Sequence, residues 1–180
     1  MASDARERMV RSAIILLAQH GYQGTSFSEV LAHSQAPRGS IYHHFPDGKD
    51  QLIAAAVDVA GANAVAVLDA LDGLPGAGIV DGFMAMWRAV LERSEFSAGC
   101  SVLAVTVSSD SAAAVEQAGG VFRTWTTRLT ELLRRAGVAD PESFATLMIA
   151  ASEGAVVLAR AEHDLAPFDA VHRRLLTVVG

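Results

Sequence analysis

Gly21-Tyr22-Gln23-Gly24-Thr25-Ser26-Phe27, then Ala36-Pro37-Arg38-Gly39-Ser40-Ile41-Tyr42-His43-His44-Phe45, then Lys49 after a Pro46-Asp47-Gly48 turn: this stretch decides the fold. It reads as two short amphipathic helices separated by a tight connection. Thr25 and Ser26 are good N-cap residues for the first, which carries Phe27, Val30 and Leu31 on one face. His33 to Ala36 make the turn. Pro37 can open the second helix, where a missing N–H costs little. Ile41 and Phe45 are four residues apart and share a face. That face is predicted to pack on Leu17, Phe27 and Leu31. Upstream, Asp4 to His20 form a helix with Met9, Val10, Ala13, Ile14, Leu16 and Leu17 on its apolar side, stopped by Gly21. The pattern is a helix-turn-helix whose second helix suits a DNA major groove.

The residue types of the second helix fit that chemistry. Arg38 is the only side chain there able to grip guanine with two donors. Gly39 lets backbone approach a duplex, and Pro37 sets the start of the segment. Thr25, Ser26, Ser40, Tyr42 and His43 can donate to phosphate oxygens. Lys49 adds charge at a helix N-terminus, where backbone N–H groups already favour phosphate. His44, beside Phe45, reads as a packing residue.

These residues closely resemble the TetR family of bacterial transcriptional regulators. Gly21, Tyr22, Thr25, Ser26, Gly39, Ser40, Ile41, Tyr42, His44, Phe45 and Lys49 match the family pattern in order and spacing, over about the first third of the chain. Tyr42-His43-His44-Phe45-Pro46-x-Gly48-Lys49, with Gly99-Cys100 further on, is similar to the LmrA/YxaF-type branch. Ser101 stands where that branch usually has Pro. The resemblance implies an all-α protein of about nine helices. A helix-turn-helix DNA-binding domain, residues 1–48, would precede an effector-binding and dimerisation domain, residues 49–180. It implies a homodimeric repressor on a palindromic double-stranded operator, released by a small, apolar or aromatic ligand. The alternative is a ligand-binding sensor or carrier with a vestigial DNA-binding head.

Charge distribution fits a DNA-binding head. The chain of 180 residues has a net charge of −6. Residues 1–50 hold five Lys and Arg against five Asp and Glu, plus four of the six His. The acidic excess therefore lies in the body, which a duplex would repel while the head makes local phosphate contacts. With 51% hydrophobic residues the chain can bury a core. The uncharged, apolar stretch Phe96 to Ser109 is short for a membrane span. The charged N-terminus does not have the pattern expected of a signal peptide. A single Cys fits a reducing cytoplasm.

Beyond Lys49 the periodicity predicts a long helix to about Leu71, a loop over Asp72–Gly78, then helices over 79–95 and 112–136. Two more follow, one from Pro141 to about Asp164 and one opened by Pro167. Cys100 to Ser109 is β-branched and strand-like. It reads as a short buried helix because no partner strand exists. Phe83, Trp87, Leu91, Phe96, Cys100, Leu103, Phe122, Trp125 and Met148 are the candidate ligand-lining residues, although each alone also suits plain core. The location of that cavity is implied by the family. Cys100 has no cationic neighbour in sequence and reads as structural. Ala151, Gly154, Ala155 and Leu158, with Leu175 and Leu176, are candidates for a four-helix dimer interface. Glu162-His163-Asp164 with His172 is the best metal-like cluster, but it falls at a helix end where solvated charge is common. No catalytic, metal or cofactor motif is present in the sequence, so neither enzyme chemistry nor a cofactor is expected.

Overall fold

The computed structural model describes residues 2–179. Among the described residues there are nine α-helices and no strand: α1 (Ala2–His20), α2 (Phe27–Ser34), α3 (Ser40–His44), α4 (Lys49–Asp69), α5 (Gly76–Arg93), α6 (Ser101–Ser108), α7 (Ala112–Arg135), α8 (Pro141–Glu162) and α9 (Ala166–Val179). The all-α architecture is as expected, and the strand-like Cys100–Ser109 segment is helical. The helices gather into two compact units. One holds the chain up to Ala62 together with Cys100–Val121; the other holds Asn63–Gly99 and the chain from Phe122 onward. That α6 and the start of α7 pack with the first helices was not read from the sequence.

In the first unit, α1 packs against α2, α3 and α6. Met9, Leu17, Val30, Ile41, Phe45, Leu52 and Ile53 are fully buried. Each large side chain so buried contributes roughly 1.5–3 kcal/mol. Gly21, at φ 72°, ends α1 with its N–H on the Leu17 carbonyl at 3.0 Å. Three residues on, a Cβ at Gly24 would sit 2.6 Å from His20 Cβ, so the chain can turn back there only with glycine. Ser26 is the cap of α2: its hydroxyl accepts the Glu29 N–H at 3.2 Å. The start of α3 departs from expectation. Pro37 does not open the helix; its carbonyl accepts both the N–H (2.9 Å) and the hydroxyl (2.6 Å) of Ser40. A tight turn thus precedes a helix of only five residues. Phe27 and Leu31 stay half-buried, and Phe27 meets the Tyr42 ring edge-on at 5.6 Å. Gln117 of α7 ties down the first half of α4, donating to the Ala54 carbonyl (3.0 Å) and to Asp58 (2.6 Å).

In the second unit, α5 packs on α8 and α9, and α8 on α9. Phe83, Met84, Met148, Phe168 and Leu175 form its centre. Polar pairs fix the helix ends. Arg88 bridges Glu92 and Asp169 and lies over the Phe168 ring. His172 Nε2 meets Asp81 at 2.8 Å. Arg128 and Arg135 of α7 reach Asp72, and Arg128 also reaches Asp69. Asp140 caps α8 through the Ser143 N–H, as the sequence predicts. By length and composition alone α4 and α8 are apolar enough to cross a bilayer, although 39% and 50% of those windows are buried inside the protein. Buried core helices pass the same test.

Candidate nucleic-acid interface and ligand-binding body

The helix-turn-helix presents a narrow outward face on a solid base. Ile41 and Phe45 are wholly buried, while Tyr42 between them is 68% exposed and Arg38, Gly39 and His43 are exposed. The period of the helix thus separates an anchor from a reader. Among the described residues Arg38 donates to no protein acceptor, so its fork of N–H groups is available. The His43 ring lies 5.2 Å from that of His44, which is half-buried and 6.5 Å from Phe45, in keeping with a packing role for His44.

The hydroxyl candidates are mostly engaged inside the protein. Thr25 is fully buried and its Oγ1 donates to the Gly21 carbonyl at 2.8 Å, closing the turn. Ser40 Oγ is held on Pro37. Ser26 Oγ serves as the α2 cap and lies 2.8 Å from Ser28 Oγ. Pro37 is exposed but shapes the turn. Lys49 folds back: Nζ donates to the Tyr22 carbonyl at 2.6 Å and lies 4.0 Å from the centre of the Tyr22 ring. Burial pulls the Lys49 pKa below its ordinary value, with neighbouring Asp50 acting in the opposite direction. Arg38, Tyr42 and His43 are therefore the exposed polar side chains of this segment that hold no hydrogen bond within the protein among the described residues.

Sequence reasoning missed the role of Tyr22 and Asp50. The Tyr22 hydroxyl donates to Asp50, and the Tyr22 N–H donates to Ser108 of α6 at 3.3 Å. Burial, then the Asp50 bond, raise the Tyr22 pKa above the usual phenol value, while a bond from Ser109 lowers it. The partners lie 28 and 86 residues away in sequence, beyond any local pattern.

The ligand-lining candidates divide between the units. In the second, Phe83, Trp87, Leu91, Trp125 and Met148 are buried, and the half-buried Phe122 ring meets Trp125 edge-on at 5.4 Å. Phe83, Trp87 and Leu91 recur every four residues along α5. Trp87 Nε1 is buried without a hydrogen-bond partner among the described residues, an unusual state for an indole N–H. Half-buried Phe96, at φ 63°, lines an open groove of about 410 Å³ with Ser97, Val157, Arg160, Ala161 and His163. Cys100 and Leu103 belong to the first unit. There the Cys100 sulfur caps α6 by accepting the Leu103 N–H at 3.3 Å, which gives this buried thiol a structural task.

Of the dimer candidates, Ala155 and Leu175 are buried within the protomer, and Ala151 and Leu176 are half-buried. Gly154 and Leu158 are exposed. They share a stripe of α8 with exposed Leu147, Ala150, Val157 and Ala161. The sequence reading named Gly154 and Leu158 of this stripe but left out its other large apolar residues, Leu147 and Val157. The metal-like cluster does not assemble: no group of three His, Cys, Asp or Glu is placed to hold an ion among the described residues.

A family profile described as bacterial regulatory proteins, tetR family, matches residues 10–56. A second, described as the C-terminal domain of LmrA/YxaF-like transcriptional regulators, matches residues 76–174. An HTH-type transcriptional regulator of Mycobacterium tuberculosis is 37% identical over 179 residues, covering 94% of this chain and 91% of that protein. LmrA of Bacillus subtilis, an HTH-type transcriptional regulator, is 44% identical over 55 residues, 31% of this chain and 29% of its own length. In fold, the chain is similar to the crystal structure of a regulatory protein TetR from Rhodobacter sphaeroides. The TM-score is 0.88 at 24% identity, covering 98% of this chain and 99% of that one.

Proposed function

This chain belongs to the TetR family of bacterial transcriptional regulators, in its LmrA/YxaF-like branch, and from that premise we propose that it is a cytoplasmic, homodimeric repressor of a palindromic operator. The observation that carries this reading is the contrast across α3 and the residues flanking it: Ile41 and Phe45 are buried while Arg38, Tyr42 and His43 are exposed. In this reading Arg38 reads a guanine edge, and Tyr42 and His43 hold the phosphate backbone. Lys49 adds positive charge beside them. Residues 1–48 are the DNA-binding part and residues 49–180 the effector and dimer part. Two copies meet through the exposed α8 stripe, with α9 alongside, and set two recognition helices one duplex turn apart, roughly 34 Å.

The effector is a small apolar or aromatic molecule held among the α5, α7 and α8 side chains, with Trp87 and Trp125 close to it. It acts by favouring a dimer geometry in which the recognition helices no longer fit adjacent grooves. α4, continuous from Lys49 to Asp69, is the natural lever. The coupling this requires is about 1–3 kcal/mol.

The test selects duplexes from a random pool with the full-length protein, then measures affinity against salt. A palindromic consensus is expected. Log K should fall with log salt at a slope of about −0.9 for each phosphate neutralised. Failure to enrich any sequence, with an intact dimer, would favour the sensor reading instead. A true effector should alter the emission of Trp87 or Trp125 and release the selected duplex over one concentration range.

A further inference from the structure

We propose that Tyr22 is a positioning residue, the clasp through which α6 sets the start of α4 and, with it, the recognition helix. This deepens the reading above and rests on it, because it assigns the point where the effector state reaches the DNA-binding residues.

Four contacts of one residue carry the inference. The Tyr22 N–H donates to Ser108 Oγ at 3.3 Å, and its carbonyl accepts from Lys49 Nζ at 2.6 Å. Its ring lies under the Lys49 ammonium at 4.0 Å, and its hydroxyl donates to Asp50. Tyr22 thus joins three segments: the turn after α1, the first two residues of α4, and the end of α6. Ser108 is fully engaged, since its hydroxyl also donates to the Ala104 carbonyl of its own helix. Gly21, held at φ 72° beside Ser108 Oγ, keeps the turn in place.

α6 suits transmission. It is eight residues long, about 12 Å by helical rise, and short enough to move as a rod. The Cys100 sulfur caps its first turn, and Ser108 and Ser109 form the other end. It begins directly after the Ser94–Gly99 segment, where Glu95 and Phe96 adopt left-handed backbone and the Phe96 and Ser97 carbonyls accept from Arg160 of α8. A ligand that displaces this segment would draw on α6, and the far end of α6 holds Tyr22. From there Lys49 and Asp50 lie only four and five residues beyond Phe45, the anchor of α3.

Tyr22→Phe would keep the ring beneath Lys49 and lose the Asp50 bond. Ser108→Ala would remove the bond to the backbone from the other side. The experiment compares Tyr22→Phe, Ser108→Ala and the double variant in the full chain. Three measurements are made: amide exchange over residues 40–52 without DNA, affinity for the duplex selected by the unaltered protein, and thermal melting. Each single change should speed exchange in that window and alter duplex affinity by about 5-fold or more, with little change in melting. The double variant should be no worse than the larger single effect, since both bonds belong to one clasp. Unchanged exchange over 40–52, or additive effects, would overturn the proposal. So would a loss of melting temperature with exchange rising evenly through the chain, the mark of a merely structural contact. If the protein selects no duplex, the repressor reading fails, but the exchange and coupling measurements still decide the clasp.

Discussion

α3 and α8 both bury one face and expose another, yet the exposed faces are opposite in kind. α3 turns out Tyr42 and His43, with Arg38 just before it. α8 turns out Leu147, Ala150, Gly154, Val157, Leu158 and Ala161. A polar, cation-bearing face loses little in water and gains against a polyanion. An apolar stripe gains only by being covered, and a stripe as long as α8 can seed a sheltered interface of the size stable complexes need. The two helices also differ in anchorage. α3 has five residues and depends on Ile41 and Phe45, whereas α8 has twenty-two and a long buried side of its own. The lesson is that exposure must be read with chemistry: the same helical alternation turns a polar, cation-bearing face outward in one place and an apolar stripe outward in the other.

The largest effect should come from charging the α8 stripe. Leu158 is 49% exposed, so Leu158→Asp should leave the protomer folded. If the stripe is the dimer face, the variant should sediment as a monomer and lose about 10²–10⁴-fold in affinity for a palindromic duplex, because the second half-site no longer binds as one event. Ala155→Asp, one turn away but buried at 1%, should instead impair folding. A Leu158→Asp variant that remains dimeric would break the comparison.

Next is the α3 anchor. Phe45→Ala should cost about 3–5 kcal/mol of stability by opening a cavity. Denaturant unfolding checks this, and exchange should rise first over residues 40–45. A cost below about 1 kcal/mol would mean that α3 is held by its turn and not by its buried face.

Arg38→Ala tests the reading face itself. It should lose about 1–3 kcal/mol of duplex affinity and relax base preference at one position per half-site, with melting unchanged. An unaltered selection profile would make Arg38 a phosphate contact.

How far these faces were legible in the sequence follows from the range of the interactions. The Ser26 and Asp140 caps, Gly21 as a stop, and the Ile41/Phe45 anchor are local, set by neighbours within about four residues. They were read correctly. Pro37 misled because proline at a helix start and proline before a turn look alike in sequence. The buried state of Thr25, the engagement of Ser40 and the folding back of Lys49 depend on contacts in the folded chain. So do the pairing of Tyr22 with Asp50 and Ser108 and the packing of α6 against α1. On α8, the spacing of small residues was visible, but which side of the helix the core takes is decided by α5 and α9. That is why Ala155, offered for the interface, lies buried inside the protomer while Val157, left out, is exposed.

The smallest effect concerns how α8 itself is held. Its first turn carries Glu142, paired with Arg134 of α7. The Arg134 bond holds the Glu142 carboxyl below the ordinary glutamate value, with the helix-end backbone bond adding to the shift. A carboxyl whose folded value is depressed contributes stability above its unfolded pKa and loses it as pH falls through the folded one. Acidification below the ordinary glutamate range should therefore loosen the α7–α8 corner first, seen as faster exchange at residues 141–146. Both partners are exposed, so the change in overall stability should be slight. Glu142→Gln should remove this acid-dependent step while leaving the middle of α8, and hence the dimer, unchanged at neutral pH. If instead Glu142→Gln weakened dimerisation at pH 7, the stripe would depend on the α8 first turn. The α8 surface would then rest, like α3, on an anchor at one end and not on its own buried length.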